Sequence, residues 1–528
     1  MKKSLAAFLL VSQMLLAFSL GGCDTAGENK GSPENQPGDT YYPAGAFRTS
    51  TPEEQGMDSA LLVKMLDTVK AEKVPIHSVL LIRNGYLVCE AYFHPFHRDT
   101  RHDLFSATKS FTSTLIGIAI AEGKLQGADQ KITDIFPDLT MPENSLGTKD
   151  ITLENILTMS AGHTADSVDA VYGSRNWPQT FFDLSFSFKP GTRFLYDSGA
   201  SHLLAAILKK ATGREVEAYA REKLFDPLGI RGYAWERSQE GIHTGGWGLR
   251  ITPMDMAKFG YMILHKGAWN KKQIVPSEWV ETATQKHIEG YWGETRGDDY
   301  GYQFWMNPFG GFRADGFAGQ FIYILPEYDM VAVFTSGINY SETYQPVKLM
   351  SDFVVPAAKS KAALPANEEA VQELAARLKE IENPAPEPVA PLPETAARIS
   401  GKTFGMNAFI SSFSLTFDGT DTCTLNIAQQ GRKISLPVGL DGIYRVSNVK
   451  QLGTLVWYPP YQGVALKGRW EGNNTFIIDW QYVEEPYHEE YRFTFEDGGA
   501  TMEVTEYVVG CAGPMQPYAK YQAALMDK

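Results

Sequence analysis

Residues 106–122 read SATKSFTSTLIGIAIAE and have the pattern of a buried helix, because they are almost wholly apolar after Thr114. The segment begins with Ser106-Ala107-Thr108-Lys109, an S-x-x-K arrangement. Residues i and i+3 share one helix face, so the Lys109 amine can reach the Ser106 hydroxyl. A serine needs such a base, and apolar surroundings favour a neutral lysine. The segment predicts a nucleophile beside its base, and a Ser cap followed by a solvated Lys is the alternative.

The segments on either side of this helix alternate between strand and helix patterns. Two β-rich runs in residues 78–93 flank Asn84-Gly85, the strongest short signal for a β-hairpin. Residues 151–290 carry mostly helical patterns that Gly and Pro interrupt. Further along, strand patterns occupy residues 302–306, 321–325 and 330–335, and helical patterns occupy residues 344–358 and 368–381. These patterns predict a unit that contains both helices and strands.

Residues 383–394 read NPAPEPVAPLPE and predict a domain boundary, because five prolines in twelve residues exclude a helix or a central strand. Beyond them, residues 399–510 predict a sandwich or barrel of about 110–130 residues. Its β-rich runs are residues 412–417, 454–457, 464–470, 475–480 and 491–495. Core positions are the simplest explanation for its aromatic residues Trp457, Tyr458, Tyr461, Trp470, Trp480 and Tyr482. A substrate cap, a wall-binding module and a dimer contact remain open as roles for this part.

Composition excludes several classes of protein. A length of 528 residues suggests about three domains. Hydrophobic content of 43% and charged content of 21% are ordinary for a globular protein and exclude disordered, collagenous and coiled-coil chains. Lys and Arg number 48 against 62 Asp and Glu, so the net charge is −14, and there is no run of four basic residues. We therefore expect no nucleic-acid partner.

The first residues have the features of a targeting segment. Lys2 and Lys3 precede an apolar stretch at residues 5–20, which is shorter than the roughly 20 residues of a membrane-spanning helix. The stretch ends in Leu20-Gly21-Gly22-Cys23, which resembles the lipobox of bacterial lipoproteins. That resemblance implies cleavage before Cys23, a lipid on its sulfur and an extracytoplasmic, membrane-anchored protein. A plain secretory signal with an incidental Cys is the alternative. Residues 24–44 then form a flexible tether.

The four cysteines are too few for a disulfide scaffold. Export implies an oxidising compartment, in which Cys423 and Cys511 could pair, although the sequence leaves this open. Cys89 lies in an apolar strand pattern and is interpreted as a small buried hydrophobe. His94 and His97 have i, i+3 spacing, but Pro95 lies between them, and H-E-x-x-H is absent. We therefore expect no metal and no cofactor. G-x-S-x-G is also absent, which argues against a conventional α/β-hydrolase.

A second group of motifs carries a family resemblance. Tyr196-Asp197-Ser198 follows Pro190-Gly191-Thr192 at a distance from the S-x-x-K segment. The chain resembles the serine β-lactamase and penicillin-binding-protein superfamily over about residues 50–358, in the class C-like branch with its esterases, D-amino-acid peptidases and nylon-oligomer hydrolases. The other matching segments are residues 106–111 (SATKSF), 156–162 (ILTMSAG), 225–230 (FDPLGI), 246–249 (GWGL) and 253–260 (PMDMAKFG).

This resemblance implies a fold and a set of roles. It implies an antiparallel sheet flanked by helices with an inserted all-helical subdomain, to which the C-terminal all-β domain is added. We expect a hydrolase domain at residues 45–360, a helix and Pro-rich linker at 361–394 and the β-rich domain at 395–528. Ser106 would be the acylated nucleophile, Lys109 its base, and Tyr196 the donor of a proton to the leaving group. Ser198 stands where the family motif usually has Asn and would contact the substrate.

The third family motif, Lys-Thr-Gly or His-Thr-Gly on an edge strand, has two candidates. His243-Thr244-Gly245 matches by letters but precedes a helical pattern. Phe317-Ala318-Gly319 precedes the strand pattern at residues 321–325, so we assign the motif there and treat His243 as a coincidence. Phe317 and Gly319 would then contact the substrate, and the N–H groups of Ser106 and Gln320 would form the oxyanion hole.

The substitution of Phe317 for a cation or imidazole argues against substrates that carry a carboxylate. It favours esters and nylon-oligomer-type amides, with Tyr172, Arg175 and Trp177 shaping the pocket. A core or rim position is the alternative for Trp177. The leading hypothesis is a serine hydrolase of small esters or amides. A β-lactamase or D-Ala-D-Ala carboxypeptidase acting on cell-wall peptides is the second hypothesis. A binding or sensor protein on the same scaffold is the third, and retention of Ser106, Lys109 and Tyr196 argues against it.

Overall fold

The computed structural model describes residues 42–43, 47–142, 146–238, 241–292, 295–339, 342–408, 410–429, 431–448, 463–507 and 519–526. Cys23, residues 24–41 and 44 of the predicted tether, Cys511 and the aromatic residues Trp457, Tyr458 and Tyr461 lie outside these residues. Tyr42, near the end of that segment, is described and packs edge-on against Tyr261 and Trp269. Pairing of Cys423 with Cys511 and lipidation of Cys23 therefore stay predictions. The described residues form an α/β part, residues 47–382, and a C-terminal β domain, residues 395–526.

The helices of the described residues are α1 Ser59–Ala71, α2 Thr108–Ala121, α3 Ile132–Ile135, α4 Leu153–Leu157, α5 Val168–Tyr172, α6 Trp177–Asp183, α7 Ser198–Thr212, α8 Val216–Ala220, α9 Asp226–Leu228, α10 Pro253–Leu264, α11 Ser277–Ala283, α12 Gln345–Leu349, α13 Val355–Ala357, α14 Glu368–Glu382 and α15 Glu394–Ile399. π-helical turns at Arg221–Phe225 and Met350–Val354 join α8 to α9 and α12 to α13.

The strands of the described residues are β1 Arg48–Thr49, β2 Ile76–Arg83, β3 Tyr86–Tyr92, β4 His102–Asp103, β5 Ala234–Trp235, β6 Leu249–Ile251, β7 Ala268–Trp269, β8 Lys272–Gln273, β9 Tyr291–Trp292, β10 Thr295–Arg296, β11 Trp305–Met306, β12 Phe312–Gly316, β13 Gln320–Leu325, β14 Met330–Ser336, β15 Thr403–Met406, β16 Ser412–Phe417, β17 Thr422–Gln429, β18 Arg432–Gly439, β19 Arg445–Asn448, β20 Gly463–Glu471, β21 Thr475–Tyr482, β22 His488–Glu496, β23 Gly499–Glu506 and β24 Ala519–Leu525.

A seven-stranded sheet in the order β1-β3-β2-β14-β13-β12-β11 forms the centre of the α/β part. Its pairs are antiparallel except for β1 with β3. Successive residues of β2 point to opposite faces, so Leu80 joins the core on the α2 side and Leu81 joins the core on the α1 side. Burial of both faces explains why the strand patterns are almost continuously apolar.

The predicted hairpin between β2 and β3 is confirmed. Arg83 pairs with Tyr86, and the two residues between them, Asn84 and Gly85, have φ of 50° and 78°. Two positive φ values are what a tight turn between twisted strands requires, and Asn and Gly tolerate them best.

Helix α2 is buried as its sequence predicts, since twelve of its fourteen residues are buried. It packs between the sheet and other helices, and the Phe111 ring stacks on Phe259 of α10 with 3.7 Å between ring centroids. The α2 N-terminus is therefore fixed relative to the sheet, which matters because Ser106 and Lys109 lie there. The inserted helical subdomain implied by the family resemblance stays a prediction.

The C-terminal β domain is a sheet in the order β18-β17-β16-β15-β24-β23-β22-β21-β20-β19, closed by a bridge from Gly439 to Lys467. Inward and outward residues alternate along β17, where Cys423, Leu425 and Ile427 are buried. Its core includes Trp480, with Trp470 and Tyr482 packed against it. The prediction of a β-rich sandwich or barrel is confirmed in its barrel form. These three aromatic residues lie in the core or against it, as expected.

Segments outside the central sheet agree with the sequence in part. Helix α14 ends at Glu382, directly before the Pro-rich segment, and its Leu374 packs into the core on the α1 side. That contact crosses the predicted boundary at residue 360, so a self-contained unit at residues 45–360 stays a prediction. Cys89 is buried in the same core, as expected. Within the described ranges, no helix has the length and apolar character needed to span a membrane.

Candidate active site

Ser106 lies in a tight turn, Phe105–Ala107, directly before α2. Phe105 has a φ of 44°, a strained conformation for a residue with a large side chain. The Asp103 carboxylate stabilises it by accepting a hydrogen bond of 2.8 Å from the Phe105 N–H. Gly316 of β12 packs so closely that a Cβ there would lie 2.1 Å from the Leu104 carbonyl oxygen. The turn that presents Ser106 is therefore constrained on both sides.

Lys109 is buried, and its amine has three oxygen neighbours. Its Nζ lies 2.9 Å from Ser106 Oγ, 3.2 Å from Ser198 Oγ and 2.9 Å from the Gly246 carbonyl oxygen. A neutral amine has two N–H groups and one lone pair. With Ser198 and Gly246 as acceptors, the lone pair can face the Ser106 hydroxyl and take its proton.

Burial lowers the pKa of the Lys109 ammonium to about 7, while the charges of Asp166, Asp197 and Asp315 oppose this effect. A large fraction of Lys109 is thus neutral near pH 7. Its position and its pKa are both those of a general base.

Tyr196 is the third member of this group. Its ring lies 4.9 Å from Lys109 Nζ and stacks on Trp305 with 5.9 Å between centroids. Burial raises the pKa of the Tyr196 phenol well above its usual value, and a hydrogen bond with the Ser106 side chain opposes this shift only in part. Tyr196 is therefore neutral at physiological pH and can donate its proton.

The start of α7 positions Ser198 and brings a carboxylate that the sequence did not single out. Asp197 caps the helix by accepting from the Ala200 N–H, and it pairs with His163 at 3.0 Å. Asp166 accepts from the Ser198 N–H at 2.9 Å, and its charge acts on Lys109. Burial and the neighbouring Asp197 raise the pKa of Asp166 to about 6. No spacing motif links Asp166 to Ser198, so only the fold reveals it.

Phe317, Ala318 and Gly319 form the turn between β12 and β13, and β13 lies inside the sheet between β14 and β12. The prediction that this motif lies on an edge strand is therefore wrong. The reason is the sheet order: the turn at Ala318 and Gly319, with φ values of 60° and 87°, places β12 beside β13, and β11 lies beyond β12.

The same turn lies against the Ser106 turn. The Phe317 ring packs edge-on against Phe105 with 5.4 Å between centroids. The buried Gln320 side chain donates to the carbonyls of Ser336, Phe317 and Ala318 at 2.7, 3.2 and 3.2 Å. Its side chain thus holds the turn, so an oxyanion would have to be bound by its backbone N–H. The oxyanion hole of Ser106 and Gln320 stays a prediction.

The two candidates for the third motif occupy different places. His243 is buried and accepts a hydrogen bond of 2.8 Å from Arg237, away from Lys109. The loop that follows it nevertheless reaches the site through the Gly246 carbonyl. Gly245 allows this approach, because a Cβ there would lie 2.1 Å from the Ser201 carbonyl oxygen. Sequence reasoning missed Gly246, although the Gly-rich run that follows Thr244 was the available signal.

Trp177 and Tyr172 belong to an aromatic cluster behind this loop. Trp177 is 1% exposed and stacks on His202 with 4.9 Å between centroids. Its predicted role in contacting the substrate does not fit this burial. His202 in turn accepts a hydrogen bond of 3.2 Å from the Gly246 N–H, which links Trp177 to the loop that contacts Lys109. Tyr172 is half-buried and donates to Glu236 at 2.6 Å, while Arg175 is exposed.

A further carboxylate, Asp315 of β12, acts on Lys109 and Tyr196 and is paired with Arg313 at 3.0 Å. Within the described residues, no three His, Cys, Asp or Glu side chains are grouped to hold a metal ion. The arrangement brings together a serine hydroxyl, a buried amine and a neutral phenol, with carboxylates around them.

Comparison with known proteins identifies a family. The sequence profile of the Beta-lactamase family matches residues 62–355. The chain is 26% identical over 249 residues to the "Beta-lactamase" of Escherichia coli K12, a match that covers 42% of the chain and 62% of that relative, less than two thirds of its length. It is 26% identical over 290 residues to the "6-aminohexanoate-dimer hydrolase" of Paenarthrobacter ureafaciens, covering 50% of the chain and 73% of that relative.

One similar solved structure is the octameric penicillin-binding protein homologue from Pyrococcus abyssi, with 18% identity and a TM-score of 0.45 over 88% of this chain and 99% of that one. The assignment to a family rests on the sequence profile. Because that profile matches more than half of the 528 residues, the chain belongs to the Beta-lactamase family.

Proposed function

We propose that the protein is a serine hydrolase that forms an acyl-enzyme on Ser106 and acts on neutral esters or small amides. The observation that carries the proposal is the 2.9 Å contact between Ser106 Oγ and the buried Lys109 Nζ. Such a contact is the signature of a nucleophile with its base. Membership of the Beta-lactamase family supports the same conclusion.

Each proton that moves in the proposed reaction has a named donor and acceptor. Lys109 takes the Ser106 proton as Oγ attacks the substrate carbonyl, and the N–H groups of Ser106 and Gln320 stabilise the oxyanion. Tyr196 gives its proton to the departing alcohol or amine and recovers one from Lys109, whose Nζ lies 4.9 Å from the Tyr196 ring. Water then hydrolyses the acyl-enzyme with the roles of acid and base reversed.

Charge favours neutral substrates. The groups that act on Lys109 besides burial are the carboxylates of Asp166, Asp197 and Asp315, and Phe317 replaces the motif's usual cation. A substrate carboxylate would lose its hydration without gaining an ion pair. The name of the Paenarthrobacter relative supports a small amide, although a 6-aminohexanoate dimer itself carries a carboxylate. The name of the Escherichia relative supports the alternative of a β-lactamase.

We further propose that the chain is exported and anchored through a lipid on Cys23. The support is the Leu20-Gly21-Gly22-Cys23 sequence after an apolar stretch. Metabolic labelling with a radioactive fatty acid tests this, with Cys23→Ser as the control that should abolish the label.

A fluorophosphonate probe tests the proposed function. We expect the probe to label the wild-type protein and not Ser106→Ala, with Ser110→Ala as a matched control that keeps the label. Mass spectrometry should then detect an acyl-enzyme with a neutral ester or amide. Absence of labelling in the wild type, or equal labelling of Ser106→Ala, would refute the enzyme and favour a binding or sensor protein.

A further inference from the structure

The loop at residues 483–487 connects β21 to β22 and leaves the C-terminal β domain to pack against the α/β part. Residues 483–486 are buried, and Tyr487 is half-buried. The buried Gln481 side chain holds the loop by donating to the carbonyls of Tyr482 and Tyr487, at 3.0 Å each. Pro486 fits against Gly337, where a Cβ would lie 2.6 Å from the Pro486 carbonyl oxygen.

The loop is bonded to the residues that precede Ser106. The Glu484 carboxylate accepts from Arg101 at 2.6 Å, and its carbonyl accepts from the Asp103 N–H at 3.0 Å. Glu485 pairs at 2.7 Å with Arg250, which also pairs with Asp103 at 3.1 Å. Asp103 is the residue that stabilises the Phe105 turn. The loop is therefore fixed to the residues that position Ser106.

Tyr487 continues an aromatic surface beside Ser106. Its ring lies edge-on to Phe105 with 6.2 Å between centroids, and Phe105 lies edge-on to Phe317 at 5.4 Å. All three side chains are half-buried, so each keeps an exposed part. Phe105 is the neighbour of Ser106 in sequence, and Phe317 lies in the turn before Gln320. We call Phe105, Phe317 and Tyr487 the aromatic wall.

We infer that the C-terminal β domain completes the substrate pocket, and that Tyr487 is a specificity-determining residue that contacts an apolar acyl group. This inference rests on the proposed function. An aromatic wall on this side of Ser106 gains free energy by covering apolar surface of the substrate. The substrate class is therefore an ester or small amide whose acyl group carries an aryl or branched alkyl substituent close to the scissile carbonyl.

Two esters with the same leaving group test the inference. We expect Tyr487→Ala to lower kcat/KM for p-nitrophenyl phenylacetate about tenfold relative to p-nitrophenyl acetate, because loss of one ring from an apolar contact has an effect of this size. Tyr487→Phe should keep the wild-type ratio. Tyr521→Ala is the matched control, since it removes a half-buried Tyr from β24 of the same domain, and should also keep the ratio.

Fluorophosphonate labelling of Ser106 in each variant separates the two proposals. Labelled Tyr487→Ala with an unchanged ratio of kcat/KM values overturns the role of Tyr487 and leaves the hydrolase intact. An unlabelled wild type refutes the hydrolase and this inference with it. If Tyr487→Ala does not fold, Tyr487→Leu keeps most of the packing against Phe105 but lacks the ring, and an unchanged ratio in that variant overturns the inference equally.

Discussion

In the proposed reaction, proton transfer from Ser106 depends on Lys109 and Tyr196. We expect Lys109→Ala and Tyr196→Phe each to lower kcat/KM about 100- to 10,000-fold, which is the usual contribution of a positioned acid or base. Tyr196→Phe keeps the ring that stacks on Trp305, so its melting temperature should change little. Ester hydrolysis and thermal melts provide the measurements, with the exposed-face variant Lys210→Ala as the control. Near-normal turnover of either variant would contradict its assigned role.

The pH dependence should follow Lys109. The amine acts as a base only when neutral, so kcat/KM should rise as pH increases through about 7, and should be about tenfold lower at pH 6 than at pH 8. This rise is the acidic limb of the pH profile. The Asp166 charge raises the pKa of Lys109, so Asp166→Asn should move this limb to lower pH. Asp169→Asn changes the net charge equally from an exposed position on α5 and should leave the limb in place. An unchanged limb in Asp166→Asn would show that another group titrates.

The proposed preference for neutral substrates depends on Phe317, which would offer no ion pair to a substrate carboxylate. We expect Phe317→Lys to shift the ratio of kcat/KM values toward a penicillin and away from a neutral ester about ten- to a hundred-fold, through a charge-assisted contact. His243→Ala should keep the wild-type ratio, because His243 is buried beside Arg237. Large loss of penicillin selectivity in His243→Ala, without an effect at Phe317, would overturn the placement of the third motif.

At the scale of elements, Arg250 of β6 joins the 483–487 loop to Asp103. Arg250→Met leaves Asp103 and Glu485 buried without their cation, which should lower the free energy of unfolding by about 3–5 kcal/mol. Arg231→Met is the control, because Arg231 pairs with Asp226 at the surface and should change stability by less than about 0.5 kcal/mol. Denaturant unfolding measures both variants.

The pH dependence of the free energy of unfolding of Arg250→Met distinguishes an effect of buried charge from an effect of lost packing. Burial already raises the pKa of both Asp103 and Glu485. Without Arg250 these values should rise further, so the folded variant binds more protons than the unfolded chain, and its stability should fall as pH increases above the unfolded value of about 4. The deficit relative to wild type should therefore be larger at pH 8 than at pH 5. An equal deficit at both would indicate lost packing alone.

Features that depend on residues close together in the sequence were predictable from it. Contacts between distant segments were not. The β2–β3 hairpin follows from Asn84-Gly85, and the Ser106–Lys109 contact follows from i, i+3 spacing. The Gly246 carbonyl reaches Lys109 across 137 residues, and Glu484 reaches Arg101 across 383, so no periodicity reveals either. The edge-strand prediction at Phe317 failed because β11 and β12 cover β13, which is a property of sheet order.

At the scale of the whole molecule, two kinds of connection join the α/β part to the C-terminal β domain. The covalent one is the exposed Pro-rich segment between α14, whose Leu374 is buried against the α1 side, and α15, whose Ile399 is buried in the β domain. The other is noncovalent and includes the buried loop at residues 483–487 and a contact of 3.2 Å between His94 Nε2 and the Tyr444 carbonyl oxygen. Two ion pairs hold this loop against the residues that position Ser106. We therefore expect activity to depend on the noncovalent connection more than on the covalent one.

Limited proteolysis separates these contributions. Elastase should first cleave after Val389, an exposed residue in an extended segment. We expect the two fragments to co-elute in gel filtration and to keep ester hydrolysis within about twofold, because the buried Arg101–Glu484 and Arg250–Glu485 pairs remain. The same cut in Arg250→Met should release the fragments, since one of these pairs is absent and its carboxylates repel each other. Separation of the wild-type fragments with full activity in the α/β fragment would mean that the β domain does not complete the pocket.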